Sequence, residues 1–177
     1  MLTIRAIYPA TFDPITLGHV DIATRAASLF NELVVGVYDR PLKNLLFSPE
    51  ERLQMTRDVL TSLKNVRVER YSSLTVEFAV QQNACVIVRG LRALSDFEWE
   101  FQLALTNRNL NPHIDTVCLM ASQQYLFLSS SVVKEVAFAG GDVSDMVPGI
   151  VLEPLLTRIR ALGGDGGGKV KTLSVRD

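Results

Sequence analysis

Only two cysteines and two histidines occur among the 177 residues: Cys85, Cys118, His19 and His113. With so few, no cluster has metal-ligand spacing, and neither a zinc-centred nor a disulfide-stapled fold is indicated. Both cysteines fall within apolar runs and are expected as buried, reduced thiols. No apolar stretch is long enough to span a bilayer and no secretory signal pattern is evident, so a cytoplasmic, membrane-free protein is expected. Charge of neither sign dominates: 18 Lys and Arg stand against 19 Asp and Glu, a formal net charge of −1. No global field therefore recruits nucleic acid, and an anionic ligand must find local positive partners. Also absent are the P-loop pattern G-x-x-x-x-G-K-[ST], the dinucleotide fingerprint G-x-G-x-x-G and the G-x-S-x-G nucleophile elbow. The kinase and dehydrogenase readings lose most of their weight on that ground.

What is present is an alternation of strand-like and helical segments in a chain of ordinary globular composition, 47% hydrophobic and 21% charged. Strands are expected at Thr3–Tyr8, Glu32–Tyr38, Val66–Tyr71, Ala84–Arg89 and Thr116–Ala121. Several are continuously apolar and β-branched, as in a parallel sheet covered on both faces. Ser48-Pro49-Glu50-Glu51 and Ser95-Asp96-Phe97-Glu98 carry capping-box logic for helix starts, with Phe97, Phe101 and Ala104 on one face of the second helix. The first helix, expected to start at Gly18-His19, places Ile22, Ala23, Ala26 and Phe30 on one side. The last places Leu152, Leu155, Leu156, Ile159 and Leu162 at helical spacing. Five strands with intervening helices predict an α/β, doubly wound five-stranded parallel sheet, whose ligands bind beyond the carboxyl ends of the strands. Residues 1–162 form this domain, and 163–177 are expected as a flexible Gly-rich C-terminal tail.

The loops that follow strands are therefore the informative ones. After the first strand, Thr11 and the turn Thr16-Leu17-Gly18-His19 lead into a helix. A helix N-terminus aims free N–H groups and partial positive charge at one point, where a phosphate is the natural occupant. His19 can donate there, although a lone histidine is more often a capping or packing residue. His113, in the polar turn after Asn111-Pro112, reads as surface. Lys43 follows the second strand, and a single loop lysine is usually solvated. Arg89-Gly90-Leu91-Arg92 follows the fourth; Arg89 lies close enough to the sheet to be partly buried, which demands an anionic partner. After the fifth strand, Ser129, Ser130 and Ser131 open a helix with Lys134 one turn further in. Three serines offer hydroxyls and N–H groups to a phosphate chain, or serve only as a redundant N-cap.

Taken together, Thr11-Phe12-Asp13-Pro14 with Thr16-x-Gly18-His19, then Arg89-Gly90-Leu91-Arg92 followed by Asp96-Phe97-Glu98-x-Glu100, then Ser129-Ser130-Ser131-x-x-Lys134, closely resemble bacterial phosphopantetheine adenylyltransferases. These belong to the T/H-x-G-H nucleotidyltransferase superfamily, and the similarity runs from about Arg5 to about Leu162. The resemblance implies a Rossmann-like nucleotidyltransferase fold and transfer of AMP from ATP to the 4′-phosphate of phosphopantetheine, giving dephospho-coenzyme A and pyrophosphate. It further implies catalytic roles for His19, Lys43 and Arg92, and contacts to phosphopantetheine from Thr11, Lys43, Thr75 and Arg89. ATP would lie on Thr11, Phe12, His19, Gly90, Leu91, Arg92, Glu100, Tyr125, Leu126, Phe127, Leu128, Ser129, Ser130 and Ser131. Mg²⁺ would be held mainly by the ATP phosphates and water, with no protein metal ligands. A homohexamer built as a dimer of trimers and feedback by coenzyme A are also implied.

Two departures from the family pattern stand out: Ala10, where many members carry Gly, and the tail beyond the region of resemblance. A positive φ at Ala10 would cost of order 1 kcal/mol. A related enzyme with another phosphorylated acceptor, such as glycerol phosphate or nicotinamide mononucleotide, and a non-catalytic nucleotide-binding protein are the competing readings.

Overall fold

The structure, a computed structural model, describes residues 3–41 and 44–163. Its elements follow in the order β1 (Arg5–Ala10), α1 (Leu17–Leu29), β2 (Glu32–Tyr38), α2 (Pro49–Leu60), β3 (Val66–Tyr71), α3 (Thr75–Gln81), β4 (Val86–Leu91), α4 (Leu94–Leu110), β5 (Asp115–Met120), α5 (Ser130–Phe138) and α6 (Gly149–Ala161). The five strands form one parallel sheet in the order β3-β2-β1-β4-β5. The expected doubly wound architecture is thus present. Lys43 and residues 164–177, most of the expected tail, lie outside the described residues. α6 ends in Gly163 at φ +85°, a left-handed residue of the kind that closes helices.

The apolar strands β1, β2 and β4 are sandwiched between two cores. On one face Ala6, Tyr8, Leu33, Val35 and Val88 pack against Ile22, Ala23 and Ala26 of α1, Val133 of α5 and Val151, Leu155 and Ile159 of α6. On the other, Ile7, Val34 and Ile87 meet Val76, Phe78 and Ala79 of α3. Gly36 is obligatory here, because a Cβ on it would lie 2.6 Å from the Phe78 ring.

The edge strands depart from the two-faced burial expected of them. No residue of β5 is fully buried, since an edge strand has a neighbour on one side only. Cys118 on β5 is consequently exposed rather than buried, and Cys85, which precedes the central strand β4, is exposed as well; both are free thiols. Partial desolvation and the nearby Glu100 carboxylate push the Cys118 thiol upward, away from the reactive thiolate.

α4 differs most from expectation. Its N-cap is Ala93, with no side-chain cap, so Ser95, expected as the cap, stands inside the first turn, and its side chain lies outside the described residues. Asp96 instead accepts from the backbone N–H and the guanidinium of Arg92. Phe97 and Phe101 do share a face and stack at 5.8 Å between ring centroids, but both are about half exposed. Leu162, expected on the packed side of α6, is also exposed. Phe30 is the C-cap of α1 and only partly buried, and Ala27 takes its place in the core.

Candidate active site

The order β3-β2-β1-β4-β5 reverses direction of winding between β1 and β4, and a crevice opens at that switch point. Its origin is visible in the register. β1 pairs with β2 through Ala10↔Val37, and β4 with β5 through Leu91↔Met120. Pairing between β1 and β4 covers only Ala6↔Val86 and Ile7↔Ile87. Beyond those residues the two central strands part, leaving a cleft of about 430 Å³. Arg89 spans the gap, its Nη1 donating to the Pro9 carbonyl at 2.7 Å.

Two helix N-termini open into this cleft. α1 starts at Leu17, one residue earlier than expected. Thr16 Oγ1 accepts the His19 N–H at 3.3 Å, and His19 Nδ1 accepts the Thr16 N–H at 3.0 Å. His19 is therefore a capping residue, as the plainer reading of it held. Since Nδ1 accepts an amide proton, the ring proton of the neutral imidazole resides on Nε2. Phe12 braces the imidazole at 5.0 Å between centroids and Tyr8 braces Phe12 at 5.7 Å, both edge to face. α5 supplies the second N-terminus. Ser129 Oγ caps it by accepting the Val132 N–H at 3.1 Å, and Ser130 Oγ donates to the Pro14 carbonyl at 2.8 Å. One serine is thus the cap, another ties α5 to the loop after β1, and all three line the cleft.

Arg89 and Gly90 stand inside β4 rather than after it. The anionic partner expected for Arg89 is internal: Glu100 takes both Nε and Nη2 at 2.7 Å. Burial opposes the guanidinium charge, but the Glu100 carboxylate outweighs it and the basicity of Arg89 is raised. Burial likewise pushes the Tyr8 phenol up, so it stays a neutral hydroxyl beside Arg89 and Arg92. Arg92 forks onto Asp96 at 2.9 and 3.2 Å and donates to the Leu128 carbonyl at 3.0 Å, linking β4 to the segment before α5.

Thr11, Phe12, His19, Gly90, Arg92, Glu100, Tyr125, Leu128, Ser129, Ser130 and Ser131 all border one cleft, together with Arg89. Leu91 is buried in its strand, and Leu126 and Phe127 are exposed outside the cleft wall. Thr75 stands at the start of α3, 3.3 Å from the Tyr71 hydroxyl, and reaches the cleft only through that tyrosine. Ala10 carries no positive φ; the left-handed residue of this loop is Phe12, at φ +51°. Gly18 lines the cleft, yet a Cβ there would meet Thr16 and Tyr125 at an ordinary 3.6 Å. The protein itself does not require glycine at that position.

Sequence reading missed the weight carried by Asp13. It is 1% exposed, and accepts the N–H groups of Leu46 and Phe47 and the ammonium of Lys134 at 2.7 Å. Lys134 therefore faces Asp13 instead of reaching for a phosphate. Among the described residues, no three His, Cys, Asp or Glu side chains converge as metal ligands, and no helix is long and apolar enough to cross a membrane.

Comparison with known proteins agrees with this geometry. A cytidylyltransferase-like family model matches residues 7–136. A phosphopantetheine adenylyltransferase of Herpetosiphon aurantiacus is 57% identical over 143 residues, covering 81% of this chain and 87% of its own. One from a Roseiflexus species is 53% identical over 150 residues, covering 85% and 94%. Among solved structures, a Plasmodium falciparum nicotinic acid mononucleotide adenylyltransferase superposes with a TM-score of 0.64 at 16% identity, covering 90% of this chain and 96% of that one. The fold is shared even at that distance, and the close relatives fix the branch: the chain belongs to the phosphopantetheine adenylyltransferase family.

Proposed function

We propose that this protein transfers the adenylyl group of ATP to the 4′-phosphate of phosphopantetheine, releasing pyrophosphate and forming dephospho-coenzyme A. The observation that carries this reading is the convergence of two helix N-termini, His19, Arg89 and Arg92 on one cleft at the switch point of the sheet. A phosphate nucleophile is already ionised at neutral pH, so no general base is needed. Catalysis consists of aligning the two substrates and stabilising charge on the α-phosphate and on departing pyrophosphate.

Amide groups at the starts of α1 and α5 would receive the triphosphate, with Ser129–Ser131 around it. His19 Nε2–H would donate to the α-phosphate as charge develops. Arg92, whose ion pair with Asp96 is partly solvent-exposed, can shift its fork toward the leaving phosphates. Arg89 stays with Glu100 and presents a fixed positive edge to the acceptor phosphate, joined by Thr11 and by Lys43 from the loop after β2. Glu100 then acts through Arg89. Mg²⁺ would enter with ATP, held by its phosphates and water, and supply further charge neutralisation.

The exposure of Phe97, Trp99, Phe101 and Leu105 of α4 and of Met120 of β5 supports assembly into a homohexamer of two trimers. Coenzyme A, which keeps the pantetheine arm, would compete for the acceptor side of the cleft. A cytoplasmic location fits the reading.

Incubating the protein with ATP, Mg²⁺ and a panel of phosphorylated acceptors tests the assignment. Pyrophosphate release is expected with phosphopantetheine, at least tenfold faster than with nicotinate mononucleotide or glycerol 3-phosphate. No release with phosphopantetheine or any other acceptor would overturn the adenylyl-transfer reading, and a measured Kd for ATP would then leave a protein that binds nucleotide without transferring it.

A further inference from the structure

Arg52 takes no part in the chemistry above and is the largest fully buried side chain among the described residues, at 0% exposure. It lies at the end of the first turn of α2. Its Nε donates to the Phe47 carbonyl at 3.3 Å, while Nη1 donates to the carbonyls of Thr11 at 2.5 Å and Tyr38 at 2.7 Å. The carboxylates that act on it electrostatically are Asp13, Asp39 and Glu50. Each is engaged by another cation: Asp13 by Lys134, Asp39 and Glu50 by Arg70. A buried guanidinium held only by neutral carbonyls, with its Nη2 buried and unpaired, is an unfavourable choice for stability alone.

Its position explains what it does. The ladder between β1 and β2 ends at Ala10↔Val37. The next residue on each strand is Thr11 and Tyr38, the two whose carbonyls Nη1 clamps. Arg52 thus carries the pairing one step past the end of the β1–β2 ladder, at the rim where both residues border the cleft. It also orients a peptide. In a trans peptide the C=O and the following N–H point in opposite directions. With the Thr11 carbonyl drawn down to buried Arg52, the N–H of Phe12 is turned the other way, away from Arg52, and Phe12 itself lines the cleft. A charged donor on the carbonyl polarises the amide and strengthens that N–H as a donor. Phe12 at φ +51° is a conformation that a bulky aromatic residue seldom adopts. The Thr11 clamp on one side and the Asp13 anchor on the other hold it there.

We propose that Arg52 is a positioning residue of the active site, setting the Thr11–Phe12 peptide so that its N–H is presented to a phosphate of the bound nucleotide. The inference rests on the adenylyl-transfer reading for its kinetic part and on nucleotide binding alone for the rest. Arg52→Met removes the fork and keeps the volume; Arg52→Lys keeps a buried cation without the fork, as a second variant should the first not fold. Thermal unfolding, the Kd of ATP without acceptor, and kcat and KM for both substrates are measured on each. The folded variants are expected to melt within a few degrees of wild type, to bind ATP at least fivefold more weakly and to lose at least tenfold in kcat. Wild-type kcat and ATP Kd, within twofold, in a folded variant would overturn the proposal, as would losses that track the unfolded fraction alone. Should the wild-type chain bind ATP but fail to adenylylate phosphopantetheine, the functional reading falls, while the ATP Kd of the variants still decides the role of Arg52.

Discussion

His19 combines two tasks in one ring, and they can be separated. Nδ1 closes the capping box with Thr16, while Nε2 carries the ring proton. His19→Ala removes both functions: stability is expected to fall by about 1 kcal/mol through the lost cap, and turnover by roughly 10²–10³-fold through the lost transition-state donor. Glutamine is a natural third residue of a capping box, so His19→Gln should recover the melting temperature. Turnover should stay at least tenfold below wild type. If activity recovers in step with stability, the histidine is a cap and nothing more. Its dual use also shows why a single residue type was ambiguous in the sequence. A capping contact and a catalytic donor require the same residue at the same place, and only the geometry assigns a nitrogen to each.

At the level of elements, the helix starts differ in how legible they were. Ser48-Pro49-Glu50-Glu51 forms the box that its residue order predicts, with Ser48 Oγ taking the Glu51 N–H and Glu51 taking the Ser48 N–H. The Ser48 amide chiefly, then its hydroxyl and Arg158, hold the Glu51 carboxyl below its ordinary range. A depressed carboxyl contributes stability above its unfolded pKa of about 4.3, and that contribution disappears as the pH falls through the folded-state value. Glu51→Gln retains a weaker cap but neither the charge nor the Arg158 pair. It should lower stability by about 0.5–1 kcal/mol at pH 7. The gap from wild type should close as the pH is lowered below about 4, as urea titrations at pH 7, 5 and 3.5 would reveal. A gap independent of pH would mean that Glu51 acts by packing. The start of α4 was misread because the helix begins at Leu94, ahead of Ser95, and Asp96 pairs with Arg92 of the loop just before it. The pair is local, four residues apart, but it competes with the capping pattern, and only the position of the helix start decides between them.

On the scale of the whole molecule, the exposed aromatic residues of α4 are the feature a lone domain does not account for. Trp99 is 62% and Phe101 52% exposed, and Met120 on the edge strand β5 is 62% exposed. If these residues belong to subunit interfaces, Trp99→Glu combined with Phe101→Glu should reduce the mass measured by light scattering from that of the assembly to that of a monomer. Circular dichroism should remain that of the folded chain, because neither residue belongs to the buried cores. A wild-type protein that already runs as a monomer would contradict the hexamer.

By itself the sequence determined the class of fold and the order of its elements, because apolar period and turn chemistry are local properties that each segment carries with it. It also named most of the cleft: Thr11, His19, Arg89, Arg92 and the three serines sit in short motifs whose order along the chain survives folding. Tertiary structure decided the rest. Whether a strand is central or at an edge depends on its neighbours, so the exposure of Cys118 could not be read from an apolar run. Which anion Arg89 meets depends on α4 crossing β4, and it proved to be Glu100. Arg52 looked like one more charge in a polar helix. Only the end of the β1–β2 ladder, where two carbonyls run out of partners, turns that charge inward and gives it something to hold.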